Sequence, residues 1–259
     1  MGAPGTLSSL RQVLVWPSMP WAVSVTYNRY AESQRHCEAS EDLMGPSTHL
    51  LLVPTAGERR VVEQAMGSGH SGRLRIELCG FGPIAAAART AHLLATIDPA
   101  SVTLVGIGGA MDDRLVVGQA YRFDDVVSYG VGVGAGRDFR QASSLGWSQW
   151  PGDPSVGQRA IGDRISRTGT TAGHILLTAC AASAGPADVQ LRRELIPDAV
   201  AEDMEGFGVA FACEFARVPW TIIRGISNRA GDRDHSRWCV EPALEAAATL
   251  ALETLAEAR

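Results

Sequence analysis

Residues 83–109 read PIAAAARTAHLLATIDPASVTLVGIGG. The alanine-rich segment Ile84–Ile97 predicts a helix, which ends at Asp98-Pro99 because proline cannot continue an α-helix. The apolar run Ser101–Ile107 then predicts a buried strand that leads into Gly108-Gly109. A helix followed within a few residues by a buried strand is typical of α/β proteins with a parallel sheet.

The same alternation extends in both directions from this segment. Short apolar runs predict further strands at Leu50–Val53, Leu74–Leu78, Tyr121–Ser128, Ile175–Thr178 and Thr221–Gly225. Helices are predicted from Glu58 onwards, at Glu205–Phe215 and at Glu241–Ala258. We therefore expect residues 49–259 to form one α/β domain, with a mixed, mainly parallel sheet flanked by helices on both faces.

Residues 1–48 have a different character. They contain clustered Pro, Ser and Trp and show neither a helical nor a strand periodicity. They also lack the basic start and the continuous apolar stretch of a signal peptide. We expect a poorly ordered extension, or upstream sequence that precedes a true start at Met44.

The composition disfavours several classes of partner. The 259 residues carry a formal net charge of −5, which provides no basic field for binding nucleic acid. No apolar run has the length of a membrane-spanning helix. The five cysteines are scattered without a C-x-x-C pair, and the six histidines lack metal-ligand spacing. We expect a cytoplasmic protein with reduced thiols, without a metal and without a cofactor.

Four loops are candidates for a functional site. In α/β sheets of this kind, ligands bind beyond the carboxyl ends of the strands. The loops at these ends begin near Pro54, Gly106, Asp203 and Ser227. Side chains on these loops are therefore the first ones to consider for chemistry.

Two of the loops carry acidic residues. The sequence Glu202-Asp203-Met204-Glu205-Gly206 places three carboxylates within four residues. Such a cluster suits a polyhydroxyl ligand, because a carboxylate accepts hydrogen bonds from adjacent hydroxyls. The helix dipole alone also favours acidic residues at a helix start. Glu58 follows the first strand, where a glutamate is ordinarily only solvated.

The other two loops carry glycines and an amide. Gly106-Ile107-Gly108-Gly109-Ala110 lacks the G-x-G-x-x-G spacing of the dinucleotide fingerprint, so its glycines more simply let the backbone approach a flat ligand. Arg224-Gly225-Ile226-Ser227-Asn228 ends a strand. An asparagine there contacts a ligand or caps the turn, and each feature alone has such an ordinary explanation.

Taken in order, the four features resemble the nucleoside phosphorylase/nucleosidase superfamily over roughly Leu50 to Ala258. The stretch Phe81–Gly109 is similar to the helix–strand–glycine segment of methylthioadenosine/adenosylhomocysteine nucleosidases, and Asp203-Met204-Glu205-Gly206 matches their most specific motif. The resemblance implies a single nucleoside phosphorylase-like α/β domain, usually a homo-oligomer, that cleaves the C1′–N9 bond of a purine nucleoside.

The resemblance also implies roles for individual residues. Glu58 matches the glutamate that activates water, and Glu205 would hold the ribose 2′ and 3′ hydroxyls. Met204 would pack on the sugar, while Gly108 and Gly109 would let the backbone approach the ligand.

Asn228 indicates which base leaves. Adenine-specific nucleosidases carry Ser-Asp where this chain has Ser227-Asn228. An amide can donate to O6 and accept from N7–H of a departing 6-oxopurine, which an ionised carboxylate cannot do. Residues Asn228–Trp238 are also similar to the futalosine hydrolase pattern N-x-x-G-x-R-D-x-x-x-W. Asn228 therefore suggests hypoxanthine or guanine as the leaving group. Futalosine is a hypoxanthine nucleoside of menaquinone biosynthesis with a carboxylated aromatic 5′ substituent, so the two features agree.

Two contacts with the substrate stay open. Arg233 clamps the substrate carboxylate, or it pairs with Asp234 and stiffens the loop. The position that matches the base-stacking aromatic of the adenine nucleosidases falls within Thr178–Ser183, which contains no aromatic residue. Stacking would then come from Phe207 or Phe81.

The favoured mechanism is hydrolysis through an oxocarbenium-like transition state. Glu58 would be the base, Glu205 would stabilise the ribosyl cation and Asn228 the departing base. Phosphorolysis is the main alternative, and phosphate would need arginines near the first and third strands. The third strand contains no arginine, but Arg59 and Arg60 near the first strand keep this alternative open. A non-catalytic nucleoside-binding module is a third alternative, against which Glu58 argues.

Overall fold

The computed structural model describes residues 48–67, 73–167 and 173–257. In chain order, the strands are β1 (His49–Val53), β2 (Leu74–Leu78), β3 (Ser101–Ala110), β4 (Ala120–Tyr129), β5 (Gly132–Val133), β6 (Arg140–Gln141), β7 (Arg164–Ser166), β8 (His174–Ala179), β9 (Ala199–Asp203) and β10 (Trp220–Arg229). The α-helices are α1 (Ala56–Met66), α2 (Pro83–Ile97), α3 (Pro186–Leu195), α4 (Gly206–Ala216) and α5 (Val240–Glu257).

The main sheet is built around β3. This strand pairs in parallel with β1 and with β10, and its last residues pair antiparallel with β9. β1 continues in parallel to β2, while β4 pairs antiparallel with β10 and β7 and in parallel with β8. Because β8 also pairs with β9, the strands β3, β10, β4, β8 and β9 close into a ring. The predicted mixed, mainly parallel sheet is confirmed; β5 and β6 form a separate hairpin.

The alternation of side chains along β1 explains why helices cover both faces of the sheet. Leu50 and Leu52 are buried in a cluster that includes residues of α2 and α4. Leu51 and Val53 point to the opposite face and are buried with residues of α1 and α5. Full burial of each such side chain contributes about 1.5–3 kcal/mol to folding. The two faces therefore hold the strand ends in fixed positions.

β3 and β10 run further than the apolar pattern predicts. β3 reaches Ala110 rather than Ile107, and β10 reaches Arg229 rather than Gly225. The two strands stay paired beyond their apolar runs, with a bulge after Ile226. Glycines and polar residues give no strand signal in the sequence, yet here backbone pairing continues through them. The glycine and Ser-Asn motifs consequently lie on strands rather than on loops.

Two helices also differ from expectation. α1 begins at Ala56, two residues before the predicted start, because Thr55 caps it and accepts a hydrogen bond from the N–H of Glu58. α3 was absent from the predicted elements. Its sequence is polar and carries Arg192 and Arg193 in its last turn, so it lacks the apolar periodicity by which a helix is recognised.

Other predictions concern parts or properties of the chain beyond these elements. The predicted extension of residues 1–48 lies outside the described residues except for Thr48. Among the described residues, no helix is long and apolar enough to cross a membrane. The same residues contain no group of three or more His, Cys, Asp or Glu side chains arranged to hold a metal ion.

Candidate active site

The strand register brings the four predicted segments to one edge of the sheet. Gly109 of β3 pairs with Glu202 of β9 on one side and with Asn228 of β10 on the other. The backbone N–H of Ile107 in β3 donates to Oε1 of Glu58 at 3.1 Å. The first turn of α1 is thereby fixed at the same edge as the ends of β3, β9 and β10.

Glu58 is directed towards β3 by its own helix start. The hydroxyl of Thr55 accepts from the N–H of Glu58 at 3.3 Å and donates to Oε2 of Glu58 at 2.7 Å. Thr55-x-x-Glu58 is a capping-box sequence, in which the glutamate ordinarily reaches back to the backbone N–H of the cap residue. Here its Oε1 accepts from Ile107 instead. The carboxylate is therefore held against a neighbouring strand rather than left in solvent.

Arg224 lies in the middle of β10 and is fully buried. Its Nε donates to Oδ2 of Asp203 at 2.9 Å, and its Nη2 donates to Oε2 of Glu205 at 3.1 Å. Its Nη1 has no hydrogen-bond partner among the residues that the structure describes. A Cβ at Gly106 would collide with this Nη1 and would lie 3.1 Å from Oε1 of Glu58. Glycine at this position leaves room for both groups.

Glu58, Asp203, Glu205 and Arg224 form a group that we call the charged centre. Three carboxylates surround one guanidinium, so two negative charges remain uncompensated when all four groups are ionised. Burial alone would lower the pKa of Arg224, but the carboxylates of Asp203 and Glu205 raise it above its ordinary value. The guanidinium stays charged.

Asp203 is the anchored carboxylate of the charged centre. Besides its bonds from Arg224, it accepts from the hydroxyl of Thr178 at 2.6 Å and from the N–H of Gly206 at 2.8 Å. A Cβ at Gly206 would lie 2.8 Å from Oδ2 of Asp203, so this tight turn into α4 favours glycine. Oδ2 of Asp203 accepts from both Arg224 and Gly206, and the side chain is fully buried, so Asp203 fixes Arg224 in place.

Glu205 keeps unused hydrogen-bond acceptor sites for a ligand. Its Oε1 accepts from the N–H of Gly82, at the start of α2, at 3.0 Å, and its Oε2 accepts from Arg224. Each oxygen retains a lone pair, so Glu205 can accept hydrogen bonds from two neighbouring hydroxyls. Burial raises the pKa of Glu205 to about 7; Arg224 opposes this rise, while the carboxylates of Asp203 and Glu58 add to it.

The third acid of the motif belongs to a different network. Glu202 accepts from the N–H of Ser183 at 2.8 Å and from its hydroxyl at 2.6 Å, and it accepts from Nη1 of Arg192 at 2.6 Å. Arg192 also donates to the carbonyl of Ala181. Glu202 therefore ties the segment after β8 to α3. The three carboxylates do not act as one group.

Gly108, Gly109 and Met204 lie beside these residues. A Cβ at Gly108 would lie 3.0 Å from the carbonyl oxygen of Glu202, and a Cβ at Gly109 would lie 3.2 Å from Cα of Ala230. Close packing of β3 against its neighbours is thus one reason for glycine at both positions, and their approach to a ligand stays a prediction. Met204 is half-buried between two members of the charged centre, and its contact with a sugar stays a prediction.

Asn228 is buried, and its side-chain amide contacts its own segment. Its Oδ1 accepts from the hydroxyl of Ser227 at 2.8 Å. Its Nδ2 donates to the carbonyl of Arg229 at 2.7 Å and to the carbonyl of Asp232 at 3.4 Å. The contact with Asp232 is at the long end of the range for such a bond. Among the three contacts, it is the easiest one for a ligand to replace.

Arg233 lies on the surface of the same segment. Its guanidinium carbon is 5.1 Å from the ring centroid of Trp238. Asp234 pairs with Arg237, at 3.4 Å, so the stacked ring of Trp238 is the described partner of Arg233. A clamp on a substrate carboxylate stays a prediction for this exposed side chain.

The two aromatic candidates for base stacking differ in exposure. Phe207 is buried in the core, and its ring centroid is 6.1 Å from that of Phe211. Phe81 is 67% exposed and precedes Gly82, which donates to Glu205. Core packing accounts for Phe207, whereas Phe81 has a ring that a ligand can reach.

The sequence reasoning missed Arg224 and Gly106 as site residues. A signal for Arg224 was present, because it interrupts the apolar strand Trp220–Ile226 and a buried arginine must be paired.

Cys79 also lies near the charged centre, but the sequence gave no signal for it. Burial raises the pKa of its thiol to about 12, while the nearby Arg224 opposes and Glu205 adds to this rise, so the thiol stays neutral beside the charged centre.

Comparison with known proteins identifies the family. The model of the phosphorylase superfamily matches residues 41–257. The chain belongs to this superfamily. It is 36% identical over 176 residues to a futalosine hydrolase of Streptomyces coelicolor, over 64% of this chain and 72% of that relative. It is 29% identical over 154 residues to a 5′-methylthioadenosine/S-adenosylhomocysteine nucleosidase of a Marinomonas species, over 59% of this chain and 66% of that relative.

A solved structure agrees at the level of the fold. The 5′-methylthioadenosine/S-adenosylhomocysteine nucleosidase from Neisseria meningitidis, in complex with methylthio-immucillin-A, is 18% identical and has a TM-score of 0.63. The match covers 81% of this chain and 99% of that one. Together with the sequence relatives, this places the chain among the N-ribosyl hydrolases of the superfamily, which act on small-molecule nucleosides.

Proposed function

We propose that the protein hydrolyses the N-glycosidic bond of a 6-oxopurine nucleoside, and that this substrate is futalosine. The observation that supports hydrolysis is that a carboxylate and a guanidinium group lie together beside Gly106. Oε1 of Glu58 and Nη1 of Arg224 both lie against this glycine, and Nη1 has no hydrogen-bond partner among the described residues. A water molecule that reaches both groups when substrate binds would accept a hydrogen bond from Nη1 and donate one to Glu58.

Charge favours water over phosphate as the nucleophile. Arg224 is already neutralised by Asp203 and Glu205, and Glu58 adds a further negative charge beside its Nη1. A phosphate dianion in this place would be repelled by the uncompensated carboxylates. Among the described residues, no ion pair joins Arg59 or Arg60 to the charged centre: Arg59 donates to Glu63 at 2.6 Å, and Arg60 is exposed. The arrangement therefore supports hydrolysis rather than phosphorolysis.

The reaction then follows from the positions of the carboxylates. Glu58 takes a proton from the water as its oxygen bonds to C1′. The C1′–N9 bond breaks, its electron pair passes to the base, and the base takes up a proton from solvent at N7. Glu205 accepts hydrogen bonds from the 2′ and 3′ hydroxyls, and its negative charge stabilises the ribosyl cation in the transition state. Gly82 and Arg224 hold Glu205 in place through one oxygen each.

Asn228 supports a 6-oxopurine as the leaving group. The N–H that reaches only 3.4 Å to the Asp232 carbonyl is available to O6 of the base. Oδ1 accepts from Ser227 and keeps a second lone pair for N7–H of the departing base. A 6-amino group would instead meet this amide donor with another donor, which costs about 1–3 kcal/mol.

The relatives support two substrates. The 36% identity to a futalosine hydrolase, together with 48% identity over 52 residues to a second one from Acidothermus cellulolyticus, favours futalosine. The similarity to methylthioadenosine/adenosylhomocysteine nucleosidases makes an adenine nucleoside the second candidate. Homo-oligomeric assembly and a cytoplasmic location are part of the proposal.

The test is release of free base from matched substrates. Purified protein would be given futalosine, its 6-amino analogue and methylthioadenosine, and hypoxanthine or adenine would be quantified by chromatography. We expect futalosine to have the highest kcat/KM, and Glu58→Gln to remove the activity while the protein stays folded. A higher kcat/KM for methylthioadenosine would overturn the futalosine assignment and leave an adenine nucleosidase.

A further inference from the structure

Residues 228–238 contain one carbonyl that receives two side-chain donors. The carbonyl oxygen of Asp232 accepts from Nδ2 of Asn228 at 3.4 Å and from the indole Nε1 of Trp238 at 3.0 Å. The shorter contact belongs to Trp238. The Asp232 carbonyl thus keeps one good hydrogen bond even when Asn228 withdraws its own.

The surroundings hold Trp238 in this position. The backbone N–H of Cys239, the next residue, donates to the carbonyl of Ser227 at 2.8 Å. The ring of His235 lies 4.4 Å from that of Trp238, and Arg233 lies over the indole. The indole N–H therefore reaches the Asp232 carbonyl from a side chain that is packed on its faces and anchored at its backbone.

We propose that Trp238 is a positioning residue for base selection, and that it acts by satisfying the Asp232 carbonyl so that Asn228 is free to donate to the base. This inference rests on the proposed role of Asn228 in reading a 6-oxopurine. Without the indole N–H, Asn228 would be the remaining side-chain donor to the Asp232 carbonyl among the described residues. Turning Asn228 to the base would then leave a carbonyl without its partner, which disfavours the productive orientation.

The substitution Trp238→Phe isolates this hydrogen bond. Phenylalanine keeps an aromatic ring for Arg233 and His235 and removes the N–H. Trp150→Phe is the matched control, because Nε1 of Trp150 has no hydrogen-bond partner among the described residues. The readout is the ratio of kcat/KM for futalosine to kcat/KM for its 6-amino analogue, in which a general loss of folded protein cancels.

We expect Trp238→Phe to lower this ratio about three- to tenfold, the range of one weakened hydrogen bond. Trp150→Phe should leave it unchanged. Asn228→Ala should abolish the preference, and adding Trp238→Phe to Asn228→Ala should have no further effect on the ratio. Equal losses on both substrates, or an unchanged ratio in Trp238→Phe, would overturn the role of Trp238 while the role of Asn228 stands.

Two further outcomes separate the proposals. If Asn228→Ala leaves the ratio unchanged, the proposed reading of the base fails, and the role of Trp238 fails with it. If Trp238→Phe does not fold, exchange of the Trp238 indole proton is followed by NMR in the unmodified protein. We expect this proton to stay protected when hypoxanthine binds. Its loss of protection on binding would show that the Asp232 carbonyl is released by Trp238, contrary to the proposal.

Discussion

The charged centre and residues 228–238 are the two halves of the proposed site, and they are built in different ways. Each side chain of the charged centre contacts a partner far away in the sequence. Glu205, for example, contacts Gly82, which lies 123 positions earlier. The side chains of residues 228–238 contact mainly one another, as with Trp238 and the Asp232 carbonyl six residues earlier. The first half is part of the core, whereas the side-chain contacts of the second are mostly local, apart from those of Arg229 with Asp112 and Asp113.

This difference separates chemistry from selectivity. The charged centre cannot change without disturbing the packing of β3, β10 and the starts of α1, α2 and α4. Residues 228–238 can change their hydrogen bonds while that packing stays. We therefore expect substitutions in the charged centre to change the rate of bond cleavage, and substitutions in residues 228–238 to change which base is released.

The largest expected effects come from the two carboxylates of the charged centre. Glu58→Gln removes the proton acceptor and keeps the shape, so kcat should fall about 10²–10⁴-fold with similar substrate affinity. Glu205→Gln also removes the charge that faces the ribosyl cation and weakens the hydroxyl contacts, so both kcat and affinity should fall. Steady-state kinetics with calorimetric binding separates the two variants. A near-normal kcat in Glu58→Gln would contradict the assignment of the base.

Gly106→Ala should have the next largest effect. The new Cβ would collide with Nη1 of Arg224 and crowd Oε1 of Glu58, the two groups that we expect to hold water. A misplacement of catalytic groups by about 1 Å can cost about 100-fold in rate, so we expect a loss of about 10- to 100-fold in kcat. Gly57→Ala is a matched control, because a Cβ there meets only Oγ1 of Thr55 at 3.9 Å. Equal activity of the two variants would count against the binding of water by Arg224 and Glu58.

The pH dependence should report Glu205. Burial raises its pKa to about 7, and it must be ionised to face the ribosyl cation. Thus kcat/KM should fall about tenfold per pH unit below that value and level off above it. Because the folded state binds this proton more tightly than the unfolded chain, the contribution of Glu205 to stability falls as pH rises from its ordinary pKa to about 7. A flat rate profile between about pH 5 and 8 would contradict this role.

Much of the fold follows from the sequence, because local pattern dictates it. β2 and α2 were predicted almost to the residue, since an apolar strand and an alanine-rich helix bounded by prolines are local features. The polar helix α3 was missed because its stability comes from tertiary contacts, such as that of Arg192 with Glu202. The paired ends of β3 and β10 were missed for the same reason.

The site was predictable in part. Glu58 and Glu205 could be named from the order of the motifs, and the structure brings them to one edge of the sheet. Residue type alone does not distinguish Glu202, Asp203 and Glu205 from one another, and only the resemblance to the superfamily motif singled out Glu205. Their partners Arg192, Thr178 and Gly82 lie on other elements and determine which carboxylate remains available.

A smaller effect is expected from Asn228→Asp, which tests the second half of the comparison. An ionised carboxylate repels O6 of hypoxanthine, whereas a protonated one can donate to N7 of adenine. The ratio of kcat/KM for futalosine to that for its 6-amino analogue should fall about tenfold, and more at high pH. An unchanged preference would mean that this asparagine only caps the end of β10.

The central proposal is that water is the nucleophile at the charged centre. The direct measurement is futalosine cleavage in phosphate-free buffer and again with added phosphate, with the sugar product identified by mass spectrometry. We predict the same rate in both buffers and a free sugar hemiacetal as the only sugar product. Cleavage that appears only with phosphate, and that yields a sugar 1-phosphate, would contradict the account.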